Sequence, residues 1–187
     1  MAPERLILAS RSPQRRAILE QLGVDFTVEV PAGVEELTEG DPRGLVVENA
    51  VRKARAVPGE PVLGVDTAVV LDGRVYGKPR DEAEAETFLR SLSGRDHEVL
   101  SGIALRRGGA ELTDAAVTRV RFRALEPAEI AWYLRSGEWR ERAGGYAIQG
   151  KGAALVAEVD GDYLNVVGLP VTALLSMAPD LVFAGIL

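Results

Sequence analysis

The chain contains no cysteine, which removes a disulfide framework, a thiolate metal site and a cysteine nucleophile together. Histidine occurs once, at His97, so a histidine-based zinc site is excluded and His97 reads as a structural strand residue. Positive charge is in deficit. The net charge is −6 over 187 residues, the wrong sign for a nucleic-acid-binding surface, which needs a basic footprint. An anionic substrate would need a local concentration of basic groups, because the global field repels it. No apolar run approaches membrane-spanning length, and the start Met1-Ala2-Pro3-Glu4-Arg5 lacks the pattern of a signal peptide. Together these features lead us to expect a soluble cytoplasmic protein that binds neither nucleic acid nor membrane.

Lysine is scarce as well. Nineteen arginines stand against only Lys53, Lys78 and Lys151, and glutamine occurs only at Gln14, Gln21 and Gln149. In a chain so biased, a retained lysine marks a place where a compact point charge serves and a planar fork does not.

What is present reads as one α/β domain, long enough for two lobes around a cleft. Leu6–Ala9 reads as a buried strand. Ser12-Pro13 opens a helix carrying Ile18, Leu19 and Leu22 inward, and Gly23 stops it. Phe26, Val28 and Val30 alternate as a second strand. Residues 31–41 form a loop, and Asp41-Pro42 begins a helix to about Ala56. Residues 61–71 read as a central strand returning through Asp72-Gly73 into 74–76. Asp81 with Glu84 caps a helix through Leu92. Strands follow at 97–105 and about 113–125, a helix at 127–134, a glycine-punctuated loop, a strand at 154–159 and a last helix from Pro170. Strands alternate with helices early and cluster later, which predicts a mixed twisted sheet flanked by helices.

Six places carry candidate chemistry. The run Ser10-Arg11-Ser12-Pro13-Gln14-Arg15-Arg16 joins a strand to a helix N-terminus, where free N–H groups, hydroxyls and guanidiniums suit phosphate. It lacks the glycines of a P-loop, which disfavours a Walker-type NTPase. Asp66 lies within Val62–Leu71, where a carboxylate is costly to bury without a partner charge or metal. Lys78 sits in the constrained turn Gly77-Lys78-Pro79. Lys53 falls late in a helix, where a solvated face is the default and only the scarcity of lysine argues otherwise. Glu35 and Glu36 occupy a loop and could supply an oxygen ligand to Mg²⁺. Finally, Gly144, Gly145, Gly150 and Gly152 flank Tyr146, Ile148 and Gln149, and such glycines allow close backbone approach to a ligand. Trp132 and Trp139 read as packing residues.

In order along the chain, these elements resemble the Maf family of nucleoside triphosphate pyrophosphatases. The match rests on Leu8-Ala9-Ser10 with Ser12-Pro13 and Arg15, the Glu36 loop, Lys53-Ala54 and Gly64-Val65-Asp66-Thr67. Lys78-Pro79-Arg80-Asp81, Leu92-Ser93-Gly94 with His97, Gly144-Gly145-Tyr146 with Ile148-Gln149-Gly150, and Val167-Gly168-Leu169-Pro170 complete it. The resemblance implies a two-lobed fold similar to inosine triphosphate pyrophosphatases, with the nucleotide in the central cleft, and a homodimer. It implies Mg²⁺- or Mn²⁺-dependent cleavage between the α and β phosphates. Asp66 then matches a general base and metal ligand, with Glu36 also on the metal. Ser10, Arg15, Lys53 and Lys78 match groups that hold and neutralise the triphosphate.

Three positions that distinguish branches of the family fall on Gln14, Thr67 and Gln149. Thr67 and Gln149 resemble the branch acting on dTTP and UTP. The Gln149 carboxamide offers an acceptor and donors matching the N3–H and O4 of a uracil or thymine edge. Gln14 departs from that branch, which usually places Arg there. Two other classes remain: a nucleotide-binding regulator of septum formation, which would bind dTTP without hydrolysis, and a sugar-nucleotide transferase, disfavoured by the absence of a glycine-rich first loop.

Overall fold

A computed structural model describes residues 5–183; residues 1–4, read above as part of a start unlike a signal peptide, lie outside them. Among the described residues, seven strands form one sheet, β1 (Leu6–Ala9), β2 (Phe26–Glu29), β3 (Val62–Leu71), β4 (Arg74–Tyr76), β5 (Asp96–Arg107), β6 (Ala110–Phe122) and β7 (Val156–Asp160). Their order is β2-β1-β3-β5-β6-β7, with β4 paired to β3. The sheet is mixed: β1 runs parallel to both β2 and β3, while β3–β4 and β6–β7 are antiparallel. The helices are α1 (Pro13–Gln21), α2 (Pro42–Arg55), α3 (Glu82–Leu92), α4 (Pro127–Leu134), α5 (Tyr163–Val167), α6 (Val171–Met177) and α7 (Asp180–Phe183). None of the described helices is long and apolar enough to cross a membrane.

Local chemistry explains most boundaries. Ser12 and Asp41 accept hydrogen bonds from the backbone N–H of Arg15 and Gly44, and a proline follows each cap. Asp81 accepts from the N–H of Glu84 at 2.8 Å. The Glu84 carboxylate turns instead to the backbone N–H of Arg80, so the reciprocal half of the expected capping pair is absent. Differences from expectation are confined to ends and short elements. β5 runs two residues further than expected, β6 begins and ends about three earlier, and the glycine-rich loop contains two 3₁₀ turns, Ala143–Gly145 and Lys151–Leu155. α5 and α7, each five residues or fewer, carry no periodic signal that could have announced them. Val28 and Val30 are exposed, so their alternation faces solvent, and Leu22 is only half-buried.

The described residues form two compact units. The first holds the chain up to Asp66, Ser101–Ala116 and the stretch from Gly168 onward; the second holds Thr67–Leu100 and Val117–Val167. In the first, Ala9, Ala50, Val51, Ala54, Val57, Val62 and Ala104 make a core of small side chains. In the second, larger residues dominate, including Phe88, Leu89, Phe122, Tyr133, Trp139 and Tyr146. Burying such side chains contributes about 1.5–3 kcal/mol each. His97 belongs to this second core as expected, with Nε2 2.9 Å from the Tyr146 hydroxyl and its ring edge-on to Phe122. Trp139 packs and donates its indole N–H to the Leu134 carbonyl. Trp132 corrects the packing expectation: it is exposed, with the Lys151 ammonium 5.8 Å from its ring centroid.

Candidate active site

The small side chains of the first core serve a geometric end. A Cβ on Gly64 of β3 would overlap the Ala50 carbonyl of α2, and one on Gly102 of β5 would overlap the carbonyl of Val46. Helix α2 therefore lies directly on strand backbone, closer than any side chain at those positions would allow. Asn49 and Lys53 are four residues apart and share one helix face. Both reach Asp66, two residues beyond Gly64 on β3.

Asp66 is 8% exposed and Lys53 9%. The Lys53 ammonium sits 2.6 Å from Asp66 Oδ1 and 2.7 Å from Glu36 Oε1. The other Asp66 oxygen, Oδ2, accepts a hydrogen bond from the Asn49 amide at 3.0 Å. A buried carboxylate demands such compensation, and here a charge and an amide share the task. Asn49 also grips the loop that carries Glu36. Its Oδ1 accepts from the Leu37 N–H at 2.7 Å, and its Nδ2 donates to the Leu37 carbonyl at 3.0 Å.

At the start of α1, Ser10 is buried, and its hydroxyl oxygen accepts from the Ser12 N–H at 3.1 Å and from Arg15 Nη1 at 3.0 Å. Arg15 Nε donates to the Gly168 carbonyl at 2.8 Å. Burial lowers the Arg15 pKa from its usual value, opposed by the negative charges of Asp66 and Glu36; guanidinium stays charged regardless. Gln14 is half-buried, its Oε1 accepting from the Ser12 hydroxyl at 3.1 Å. The N-terminal run is thus a helix start whose cap, hydroxyl and guanidinium are mutually oriented.

The second unit holds the remaining candidates. Thr67 is half-buried and follows Asp66 on β3, so it faces the opposite side of the strand. Lys78 is largely exposed, its ammonium 3.6 Å from Glu141. The turn bearing Lys78 is tied to the glycine-rich segment by the Gly144 N–H donating to the Gly77 carbonyl at 3.0 Å. Gly144 has φ 69° and lies so close to Val69 that a Cβ would approach it to 2.7 Å. Gln149 is exposed, but its support is fixed on both sides. The Tyr133 hydroxyl accepts from the Ala147 N–H at 2.9 Å, and Glu138 accepts from the N–H groups of Lys151 and Gly152 at 3.1 and 3.4 Å.

Ser10, Gln14, Arg15, Glu36, Lys53 and Asp66 therefore belong to one unit, and Thr67, Lys78 and Gln149 to the other. The structure joins Glu36, Lys53 and Asp66 directly, and Ser10 with Arg15. It corrects the default reading of Lys53 as a solvated helix residue: the short cores of α2 and β3 bring its ammonium to Asp66. Two participants escaped the sequence reading. Asn49 had a signal, being one of only two asparagines in the chain and four residues before Lys53. Gly168 falls within the Val167–Pro170 match, but the contact of its carbonyl with Arg15 had no signal, because it acts through backbone alone.

The same residues bear on a divalent cation. Among the described residues, no group of three or more Asp, Glu or His side chains converges as a complete metal site. Two carboxylates, Glu36 and Asp66, do converge on a single positive group. That donor set fits Mg²⁺ or Mn²⁺, which take one or two protein carboxylates and complete their shell with water and substrate phosphates.

Known proteins resemble this chain over most of its length. The family model described as Maf-like protein matches residues 5–181. A Symbiobacterium thermophilum protein named dTTP/UTP pyrophosphatase is 53% identical over 172 residues, 89% of this chain and 89% of its own. A protein of the same name from Anaeromyxobacter dehalogenans is 53% identical over 91% of this chain and 90% of its own. A third from Thermus thermophilus is 48% identical over 92% of each. With a family model spanning nearly its whole length and relatives near half identity, the chain belongs to the Maf-like protein family.

Proposed function

We propose that this protein hydrolyses dTTP and UTP to the nucleoside monophosphate and pyrophosphate, a house-cleaning activity that extends to modified pyrimidine nucleotides. The observation that carries the reading is the junction of buried Asp66 and Lys53 with the exposed Glu36 carboxylate, with Arg15 close enough to feel both carboxylates. The shared name of its relatives supports the same substrates.

In this reading Ser10 and Arg15, at the N-terminus of α1, hold phosphate oxygens, where N–H groups and charge act together. Lys53 and Lys78 supply point charges that neutralise the triphosphate as negative charge moves onto the leaving pyrophosphate. Asp66 takes a proton from the attacking water; the water oxygen bonds to the α-phosphorus, and the α–β bridging oxygen departs with pyrophosphate. Glu36 and Asp66 would hold Mg²⁺ or Mn²⁺, which when bound offsets charge on the phosphate oxygens. Thr67 and Gln149 contact the base, the carboxamide pairing with the N3–H and O4 edge of uracil or thymine, and Gln14 adjoins the phosphates. The reading also includes a homodimer in the cytoplasm, without nucleic acid or membrane partners.

Incubation with Mg²⁺ and a panel of nucleoside triphosphates tests it. Pyrophosphate released preferentially from dTTP and UTP is the expected result, and Asp66→Asn should abolish it while leaving the circular dichroism spectrum unchanged. Release of inorganic phosphate, or equal turnover of every base, overturns the substrate assignment. Full activity in Asp66→Asn removes that residue from the mechanism.

A further inference from the structure

Asn49 is 1% exposed, and its side chain makes three hydrogen bonds to two elements distant in sequence. One amide group donates to the Asp66 carboxylate and to the Leu37 carbonyl, each at 3.0 Å, while its oxygen accepts from the Leu37 N–H at 2.7 Å. Leu37 immediately follows Glu36, so gripping both of its main-chain groups fixes the backbone from which the Glu36 carboxylate projects. The same nitrogen fixes the orientation of the Asp66 carboxylate. Residues 31–40 contain no helix or strand, so no secondary structure of their own holds Glu36 in place.

We propose that Asn49 is a positioning residue that sets the separation and orientation of the Glu36 and Asp66 carboxylates for a divalent cation. The assignment rests on the pyrophosphatase reading for its catalytic consequence but not for its geometric one. Lys53 cannot do this work alone. An ammonium is a rotating point charge on a flexible stem, whereas a planar carboxamide clamped at three points imposes direction. An aliphatic side chain of similar size would fill the same space and hold neither group.

The decisive measurement is Mn²⁺ affinity, by isothermal titration into the full chain holding a non-hydrolysable α,β-imido dUTP, for wild type and Asn49→Leu. Loss of an outer partner of a metal-binding carboxylate is expected to weaken Mn²⁺ by about 10–100-fold. In turnover, kcat with dTTP at fixed Mn²⁺ should fall by a similar factor and recover in part as Mn²⁺ is raised, while the dTTP KM stays within about threefold. A purely structural role for Asn49 would lower the melting temperature and leave the Mn²⁺ affinity within about twofold of wild type, and that result overturns the proposal. Should Asn49→Leu fail to fold, Asn49→Ser, too short to reach Asp66 and Leu37 together, is measured against the same criteria. A wild-type protein that binds Mn²⁺ but releases no pyrophosphate from dTTP overturns the functional reading alone, because the titration still judges Asn49.

Discussion

The Lys53 ammonium and the Asp66 carboxylate meet at 2.6 Å with only 11% of either side chain exposed. Each would be costly to bury singly. Because Glu36 also bonds Lys53, removing the lysine takes the shared ammonium away from both carboxylates. Breaking a buried pair from one side costs about 3–5 kcal/mol. Lys53→Met should lose stability on that scale in urea denaturation, together with most turnover. An unchanged unfolding midpoint would mean that solvent reaches the pair far more freely than its exposure indicates.

Gly64 places the pair within reach. A methyl group there meets the Ala50 carbonyl, and backbone cannot rotate aside as a side chain can. Gly64→Ala should cost more than the roughly 1–3 kcal/mol of ordinary overpacking, and where it folds, kcat should fall with the displacement of α2. A variant as stable and as active as wild type would show that the helix is free to lift from the sheet.

His97 makes stability pH-dependent in a defined window. Burial pulls its pKa from 6.5 to about 4, only partly opposed by the Arg95 backbone and Asp96. Between those values the unfolded chain binds a proton that the folded chain refuses, so stability rises with pH from about 4 to 6.5 and is flat in this contribution outside that range. The full contribution is about 3 kcal/mol. Urea midpoints of wild type and His97→Gln, compared from pH 4.5 to 7, should converge as pH falls; parallel curves would show that the imidazole is not held neutral.

Gln149 separates selectivity from scaffold. Its side chain is exposed, while Tyr133 and Glu138 hold the backbone on either side. Gln149→Glu should leave stability within about 0.5 kcal/mol. It should lower kcat/KM for dTTP and UTP by at least about tenfold, because a carboxylate accepts but cannot donate to O4. Retained pyrimidine preference in the nucleotide panel would move base recognition elsewhere.

Much of this was legible in the residues, for physical reasons that differ by position. Ser12-Pro13 and Asp41-Pro42 announce helix starts because capping is local chemistry. Asp66 stood out because a carboxylate in an apolar strand needs an explanation. The pairing of Asp66 with Lys53 was not legible, since the approach of α2 to β3 depends on what Gly64 and Gly102 lack. Asn49 looked like any polar residue of a helix until that approach buried it. Lys53 drew notice only through the scarcity of lysine, a compositional hint with no geometry in it. Trp132 was misjudged because aromatic identity alone does not say which face of a helix is covered.

The bare contact at Gly64 and Gly102 also constrains how the protein can change over generations. An ordinary core spacing drifts in small increments, as valine becomes isoleucine and neighbours readjust. A spacing fixed by main chain against main chain offers no such gradient, for the smallest available change at either glycine is already a collision. The exposed Gln149 can therefore be altered without disturbing the scaffold, whereas no substitution at Gly64 or Gly102 shifts the distance between α2 and the strand bearing Asp66 by a small step.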